Sequence, residues 1–363
     1  MTVLSARPLA QPLFMEEPMA GSSVPRVVIV GVDTHKDMHV AVAVDQDGRV
    51  VDRRQVATTE RGCAVLREWA VQLAPTVQFA VEGTGSYGAG LFRHLARRGS
   101  LVTEVRGPSR KLRHDRGKSD PIDAEAAARA VLAGTATIVP KTGDDWVEMI
   151  RVLRIARTSA MHHRSQVSNQ LHALVVSAPT PLRDELARLG RAELVATAAR
   201  FRIPTLSGPR EATRWALHLL AKRYQSLTAE IVALDAELRT IVETHAPHML
   251  AIRGAQTEVA STLLVVAGDN PERLKSESSF AALCGVSPLP ASSGKSQRHR
   301  LNRGGDRQGN RALWWIVMSR LRNDPRTQAY AQRRSSEGKS KREIVRCLKR
   351  YVAREVYAAL TAT

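Results

Sequence analysis

The chain has 363 residues, 43% hydrophobic and 25% charged, with 54 Lys and Arg against 35 Asp and Glu for a net charge of +19. That length and composition suit a globular protein with two or three cores, and the cationic excess points to a polyanion, DNA or RNA, bound by phosphate neutralisation. Three cysteines (Cys63, Cys284, Cys347) lie far apart without C-x-x-C spacing, which argues against a disulfide framework or a cysteine-rich zinc site and fits a reducing cytoplasm.

Residues 1–25 lack a basic segment followed by an apolar core, so no signal peptide is expected. They are rich in Pro, Gly and Ser and read as a disordered leader, with Met15 or Met19 as alternative starts. No apolar run reaches membrane-spanning length, so no membrane partner is expected.

Three strands are expected at 26–33, 38–45 and 49–57, with "DQDG" turning between the second and third. The first is almost continuously apolar, as in a strand buried on both faces. A helix over 60–73 follows, with Thr59 as its cap. Next come a buried strand "VQFAVEG" (77–83), an amphipathic helix ended by Gly99, and a fifth strand "LVTEVR". This β-β-β-α-β-α-β-α order is that of the ribonuclease H-like fold, and also of one half of sugar kinases and actin-like ATPases.

From about 144 the pattern changes. Residues 144–178 and 209–246 read as long helices with Leu, Val and Ala at three- to four-residue spacing. Ile231, Leu234, Leu238 and Ile241 form a seam flanked by charges, as in a helical hairpin or coiled coil; an ordinary bundle remains open. The last part, from 250, reads as a turn and helix at "IRGAQTEVASTLLVVAGD", a helix at "SSFAALCG", a Ser/Gly/Arg-rich loop, the helix "RALWWIVMSRLRND" and a closing basic helix. Residues 332–354 hold nine Lys or Arg against two Glu, a candidate face for a nucleic-acid backbone. At helical spacing, at least one of Trp314 and Trp315 is expected in the core, and His162 and His163 are expected in solvent or facing RNA. The domain division is therefore 1–25 leader, 26–143 α/β domain, 144–249 helical domain and 250–363 C-terminal domain.

Four carboxylates stand out. Asp33 ends the first strand and Glu82 the fourth, where a buried carboxylate is costly unless paired, exposed or bound to metal. Neighbouring strands in this topology would converge both on one hard cation such as Mg²⁺. Alternatively, Asp33 caps the turn "DTHKD" and Glu82 pairs with an arginine. Asp120 and Asp123 sit in "RGKSDPIDAEAAARA", where Ser119 or Asp120 suits an N-cap and Pro121 the first helical position. That local account suffices for their spacing. Side chains three apart nevertheless share a helix face, so the pair could meet Asp33 and Glu82 across the sheet. Arg116 and Lys118 just upstream suit an approaching phosphate.

Together, "VGVDTHKDMHVAVAV", "VEGTGSYGAGL", "RGKSDPIDAEAAARA" and the later "FAALCGVSPLPASSGKSQ…LNRGGDRQGNRALWW" resemble the DEDD-type insertion-sequence transposases of the one-ten family, relatives of the Piv-type DNA invertases. The resemblance spans about 26–325. It implies an α/β RNase H-like (RuvC-like) N-terminal domain, a long helical hairpin or coiled coil, and a mainly α C-terminal transposase domain. It further implies that Asp33, Glu82, Asp120 and Asp123 bind Mg²⁺ or Mn²⁺. Ser293, with Ser292 as the fallback, is implied to attack DNA and form a transient 5′-phosphoserine. The implied partners are donor and target DNA, an element-encoded structured guide RNA, and further copies of the chain in a dimer or tetramer at the bacterial nucleoid.

Read from the residues alone, the serine loop is either a flexible basic linker or a nucleophile loop, since a serine hydroxyl needs help to attack. Lys295, Arg298, Arg300, Arg303, Arg307 and Arg311, together with His299, would neutralise phosphate there. One departure from the family pattern is visible: its Gly-x-Gly hairpin is reduced to Gly254 with Gln256 in the second place. Two other functions share these features: a metal-dependent junction resolvase that forms no covalent intermediate, and a catalytically inactive nucleic-acid-binding descendant. An actin-like kinase would need a second phosphate loop of the DxGxT kind, which the sequence lacks.

Overall fold

The structure, a computed structural model, describes residues 26–107, 119–202, 205–292 and 299–362. It divides into two compact units, Met1–Pro140 and Lys141–Thr363. The leader over 1–25 lies outside the described residues.

In the first unit, β1 (Val27–Thr34), β2 (Met38–Asp45) and β3 (Val50–Ala57) form an antiparallel meander. The β2–β3 turn closes on Asp45, whose Oδ1 accepts from the Asp47 and Arg49 amides, with Gly48 at φ 81°. Helix α1 (Glu60–Leu73) starts where Thr59 accepts from the Gly62 amide, as its sequence predicts. After it come β4 (Thr76–Glu82), α2 (Ala89–Arg97), β5 (Leu101–Val105) and α3 (Asp120–Leu132). The sheet order is β3-β2-β1-β4-β5, with β1, β4 and β5 parallel, consistent with the ribonuclease H-like arrangement.

Alternation along β1 sorts the side chains to two faces. Val28, Val30 and Val32 join Leu66, Trp69, Leu91 and Leu95 of α1 and α2 in one core. Ile29, Val42, Val44 and Ala80 meet Ala124, Ala127 and Ala128 of α3 on the other. The sheet is thus covered on both faces, which explains the unbroken apolar run of β1.

In the second unit, α4 (Trp146–Val176) and α7 (Pro209–His245) run antiparallel. Their direction follows from three rungs: the Trp146 ring stacks on His245, Arg157 pairs with Asp235, and the Arg164 guanidinium lies over Tyr224. Ile231, Leu238 and Ile241 of the expected seam are buried and Leu234 half-buried. Between the long helices, α5 (Thr180–Leu186) and α6 (Arg191–Ala199) pack with Val167, Leu171 and Leu217 in a separate apolar cluster. The sequence reading names neither helix.

After α8 (Pro247–Ala251), helices α9 (Thr257–Ala267) and α10 (Glu277–Leu283) precede a short ladder of β6 (Leu289–Pro290) and β7 (His299–Arg300). The chain ends in α11 (Arg307–Asn323), α12 (Pro325–Ser336) and α13 (Lys341–Thr361). Their shared core joins Leu263, Phe280, Leu313, Ile316, Leu348 and Val352. Helix α12 is absent from the sequence reading, although Asp324 caps it through the Thr327 amide and Pro325 takes its first position.

The tryptophan expectation is corrected. Trp314 and Trp315 are both exposed and pack edge to face with ring centroids 4.8 Å apart, because the core face of α11 is taken by Ala312, Leu313, Ile316 and Val317. His162 and His163 are exposed, as expected.

Candidate active site

The site in the first unit is built at the ends of β1 and β4. Val32 lies beside Val81 in the parallel register, so the next step places Asp33 beside Glu82 on the face that α3 covers. The Thr34 hydroxyl donates to the Glu82 carbonyl at 2.9 Å and fastens the two strand ends together. After Glu82 the chain turns sharply: Gly83 has φ 69°, and its carbonyl accepts from the amides of Ser86 and Gly88.

Helix α3 reaches this end of the sheet because β1 carries a glycine beneath it. A Cβ on Gly31 would lie 1.9 Å from the Ala124 carbonyl oxygen and 2.7 Å from the Ala128 nitrogen. With Ala at 124, 127 and 128 the helix and strand backbones come into direct contact. The first turn of α3 is thereby laid against Asp33. Ser119 occupies the N-cap position, but its side chain makes no capping bond, and Pro121 is the second helical residue rather than the first. The start of α3 is therefore not held by the side-chain cap that its sequence suggests.

Asp33 and Asp123 are both buried, at 9% and 5% exposure, while Asp120 is exposed. Burial pushes the Asp33 carboxyl above the usual carboxylate range; His35 opposes the rise, and the carboxylates of Asp120 and Asp123 add to it. Three acids therefore share one electrostatic environment. His35 is the member that sequence reasoning missed. Its Nε2 lies 3.2 Å from Asp33 Oδ2 and 3.4 Å from Asp120 Oδ1, and the three side chains offer ligand atoms within 4.8 Å of one another. Its signal was present in "DTHKD", two residues after Asp33. Beside the acids, His35, Lys36, Gln55 and Tyr87 line a cavity of about 390 Å³. His39, on the opposite face across from Thr34, is fully buried, and among the described residues neither ring nitrogen has a partner; burial favours its neutral form.

This donor set fits a divalent cation. The rise in the Asp33 pKa, due first to burial and then to the neighbouring carboxylates, is relieved by a positive charge among them, and oxygen donors suit Mg²⁺ or Mn²⁺. Glu82 is placed beside Asp33 by the register, and its side chain is half-buried. Arg116 and Lys118 lie outside the described residues.

The serine-bearing segment belongs to the second unit. Ser293, Lys295 and Arg298, between β6 and β7, lie outside the described residues; Ser292 is described and exposed. The hairpin is pinned at its base. A Cβ on Gly305 would fall 2.1 Å from the Gly285 nitrogen, and the Asp306 amide donates to the Leu283 carbonyl. The Asn310 amide group donates to the carbonyls of Cys284 and Gly285, while its oxygen accepts from Lys349 Nζ at 2.7 Å. Arg300, Arg303, Arg307 and Arg311 are all exposed, the last two one turn apart on α11. Among the described residues, no helix is long and apolar enough to cross a membrane.

Comparison with known proteins identifies the family. A family model for transposases of the DEDD, IS110 type matches residues 30–178, and a second, for the IS116/IS110/IS902 transposase family, matches 246–332. A putative transposase, y4pF/y4sB, of Sinorhizobium fredii is 26% identical over 78% of this chain and 70% of its own length. An uncharacterized 42 kDa protein of insertion element IS900 from Mycobacterium paratuberculosis is 22% identical over 92% of this chain and 95% of its own. An uncharacterized 43.6 kDa protein of insertion element IS110 from Streptomyces coelicolor is 28% identical over 35% of this chain, and the match spans about a third (32%) of that relative. The two family matches take in the acid-bearing sheet, helix α3 and the pinned hairpin: the chain belongs to the IS110 family of DNA transposases.

Proposed function

We propose that this chain cuts and rejoins donor and target DNA through the acid cluster of the first unit and a serine between β6 and β7 of the second. The observation that carries the reading is the meeting of Asp33, Asp120 and Asp123 in one electrostatic environment at the sheet end. Asp33, Glu82, Asp120 and Asp123 are the residues that would hold Mg²⁺ or Mn²⁺. Such an ion supplies polarisation of phosphodiester oxygens and stabilisation of the charge that develops on them.

The serine step balances as follows. Oγ of Ser293, or of Ser292, bonds to phosphorus as the bond from phosphorus to the 3′ oxygen breaks. The downstream fragment stays on the protein through its 5′ phosphate as phosphoserine, and the serine proton passes to the departing 3′ oxygen of the upstream fragment. Attack by another strand's 3′ hydroxyl reverses the exchange and frees the serine. Arg300, Arg303, Arg307 and Arg311 neutralise the strand around this hairpin.

The same reading includes a structured RNA that pairs with both DNAs, and an assembly of two or four copies in which one copy's acids and another's serine serve one phosphodiester. The +19 charge and the long helical pair support it. The coiled-coil character of that pair, the division at 144 and 250, and a place at the nucleoid belong to this proposal too.

The test incubates protein, Mg²⁺, RNA transcribed from the element's ends and end-labelled DNA, then resolves covalent adducts under denaturing conditions. An adduct lost in Ser293→Ala and kept in Ser292→Ala supports the assignment, and the reverse moves the nucleophile by one residue. Strand cleavage with no adduct from the unaltered protein overturns the serine step in favour of a hydrolytic resolvase.

A further inference from the structure

The second unit contains a cleft of about 980 Å³ between the base of the β6–β7 hairpin, α12 and α13. Most of its wall lies beyond residue 332, where the second family match ends. Eight Lys or Arg side chains line it against a single carboxylate, Glu343. That carboxylate is already engaged, accepting from the Ser340 amide and hydroxyl in the cap of α13. The helix presents one continuous face to the cleft, since Glu343, Arg346, Arg350 and Arg354 recur at three- and four-residue intervals.

We infer that this cleft binds the sugar-phosphate backbone of a single nucleic-acid strand, with one base set against Tyr351. This rests on the function proposed above and names a seat for the strand that the serine hairpin engages.

Three observations carry it. First, internal pairs consume only part of the cationic charge: Arg333 and Arg334 share Glu337, and Arg350 and Arg354 share Glu277, but among the described residues Arg300 and Arg346 have no ion pair, and Arg334 Nε and Arg350 Nη1 have no hydrogen-bond partner. Second, Lys349 is 94% buried at the cleft with an amide oxygen, not a carboxylate, as its partner. A buried ammonium so placed is costly without an anion nearby; burial first, and then Arg346, push its pKa down. A phosphate in the cleft offsets both effects. Through Asn310 the same lysine is tied to the carbonyls of Cys284 and Gly285 at the foot of the hairpin, so an anion held there sits beside the segment that carries the serines. Third, the wall includes an aromatic surface. Tyr351 is half exposed, packs edge to face on Tyr330 at 5.7 Å, and has the Arg354 guanidinium over its ring. Rigid aromatic faces beside guanidinium groups accept unstacked bases of any sequence.

The test is fluorescence anisotropy with the full chain in EDTA, using labelled single-stranded DNA, single-stranded RNA of the same sequence, and the DNA duplex. Arg300→Ala and Arg346→Ala are expected to weaken single-strand binding about tenfold each and to lower the salt slope by about 0.7 per lost phosphate contact. Tyr351→Ala is expected to cost about tenfold, and Tyr351→Phe to retain affinity. Arg342→Ala, exposed on the same helix but outside the cleft lining, is the charge-matched control and is expected to change affinity less than twofold. Thermal melting checks each variant, with Arg346→Gln replacing any that melts lower.

Tighter DNA or tighter RNA binding identifies the source of the strand and supports the cleft either way. Equal losses for Arg342→Ala and Arg346→Ala, no loss for Tyr351→Ala, or affinity for the duplex alone overturn it. Failure of the cleft leaves DNA exchange and its dependence on Asp123 untouched. Failure of the transposase reading abolishes exchange in the unaltered protein while strand binding still responds to Arg346.

Discussion

Gly31 of β1 and Ala124 of α3 touch backbone to backbone, so that a Cβ on Gly31 would sit 1.9 Å from the Ala124 carbonyl oxygen. This contact sets how close the first turn of α3 comes to Asp33. Gly31→Ala is therefore expected to push the helix outward and separate Asp123 from Asp33. The cost is about 1–3 kcal/mol of stability, as for overpacking elsewhere. Thermal melting measures that loss, and Mn²⁺ titration is expected to show weakened binding alongside it.

Asp33→Asn separates stability from function. The folded-state pKa of Asp33 is raised, by burial first, so the native state holds its proton to higher pH than the unfolded chain. Stability of the metal-free protein therefore falls as pH rises from the ordinary Asp value, about 3.9, through the raised one. Metal-free Asp33→Asn is expected to melt higher than the unaltered protein at neutral pH and to lose that advantage below the ordinary Asp value. Added Mn²⁺ is expected to raise the melting temperature of the unaltered protein and leave the variant unchanged. Melting curves over pH, with and without metal, check both.

His35 lies within 3.4 Å of two acids of the cluster. An imidazole among carboxylates strengthens binding of Co²⁺ or Zn²⁺ more than of Mg²⁺. His35→Ala is expected to weaken Co²⁺ binding about tenfold, by analogy with metal-site losses generally, and to leave Mg²⁺ within a few-fold. Calorimetric titration of each metal measures the split.

Asn310 joins α11, α13 and the foot of the β6–β7 hairpin through three hydrogen bonds. Asn310→Ala strands the Lys349 ammonium and two carbonyls, which costs about 1–3 kcal/mol for each buried group left unsatisfied. Denaturant unfolding is expected to show a lower midpoint, and hydrogen exchange to show faster opening of 284–290 than of β1.

Much of the first unit was legible in the sequence because its signals are local. The alternation of β2, the Thr59 cap and the apolar run of β1 each follow from side-chain period and burial within one element. The neighbourhood of Asp33 and Glu82 was legible too, given the topology. The sequence did not show how α3 gets close enough: a glycine in a strand is uninformative until the helix above it is known. His35 was overlooked for a similar reason, since its proximity to Asp120 depends on a helix 85 residues later. The short helices α5, α6 and α12 escaped because their apolar faces span two turns or fewer and are completed only by neighbours such as Leu171, Leu217 and Tyr351. Trp314 and Trp315 were misplaced by half because α11 buries the adjoining stripe of Ala312, Leu313, Ile316 and Val317.

The central claim is that the carboxylates at the end of β1 and the start of α3 form the metal centre on which DNA exchange depends. Asp123 tests it most directly, being buried at 5% exposure and close in shape to asparagine. The measurement is Mg²⁺-dependent strand exchange by Asp123→Asn between DNA bearing the element's ends and its target, with folding verified by melting. The account predicts a folded variant whose exchange falls by at least about a thousandfold, roughly the share of a rate enhancement that such electrostatic groups supply. Exchange at the unaltered rate by a folded Asp123→Asn would contradict it.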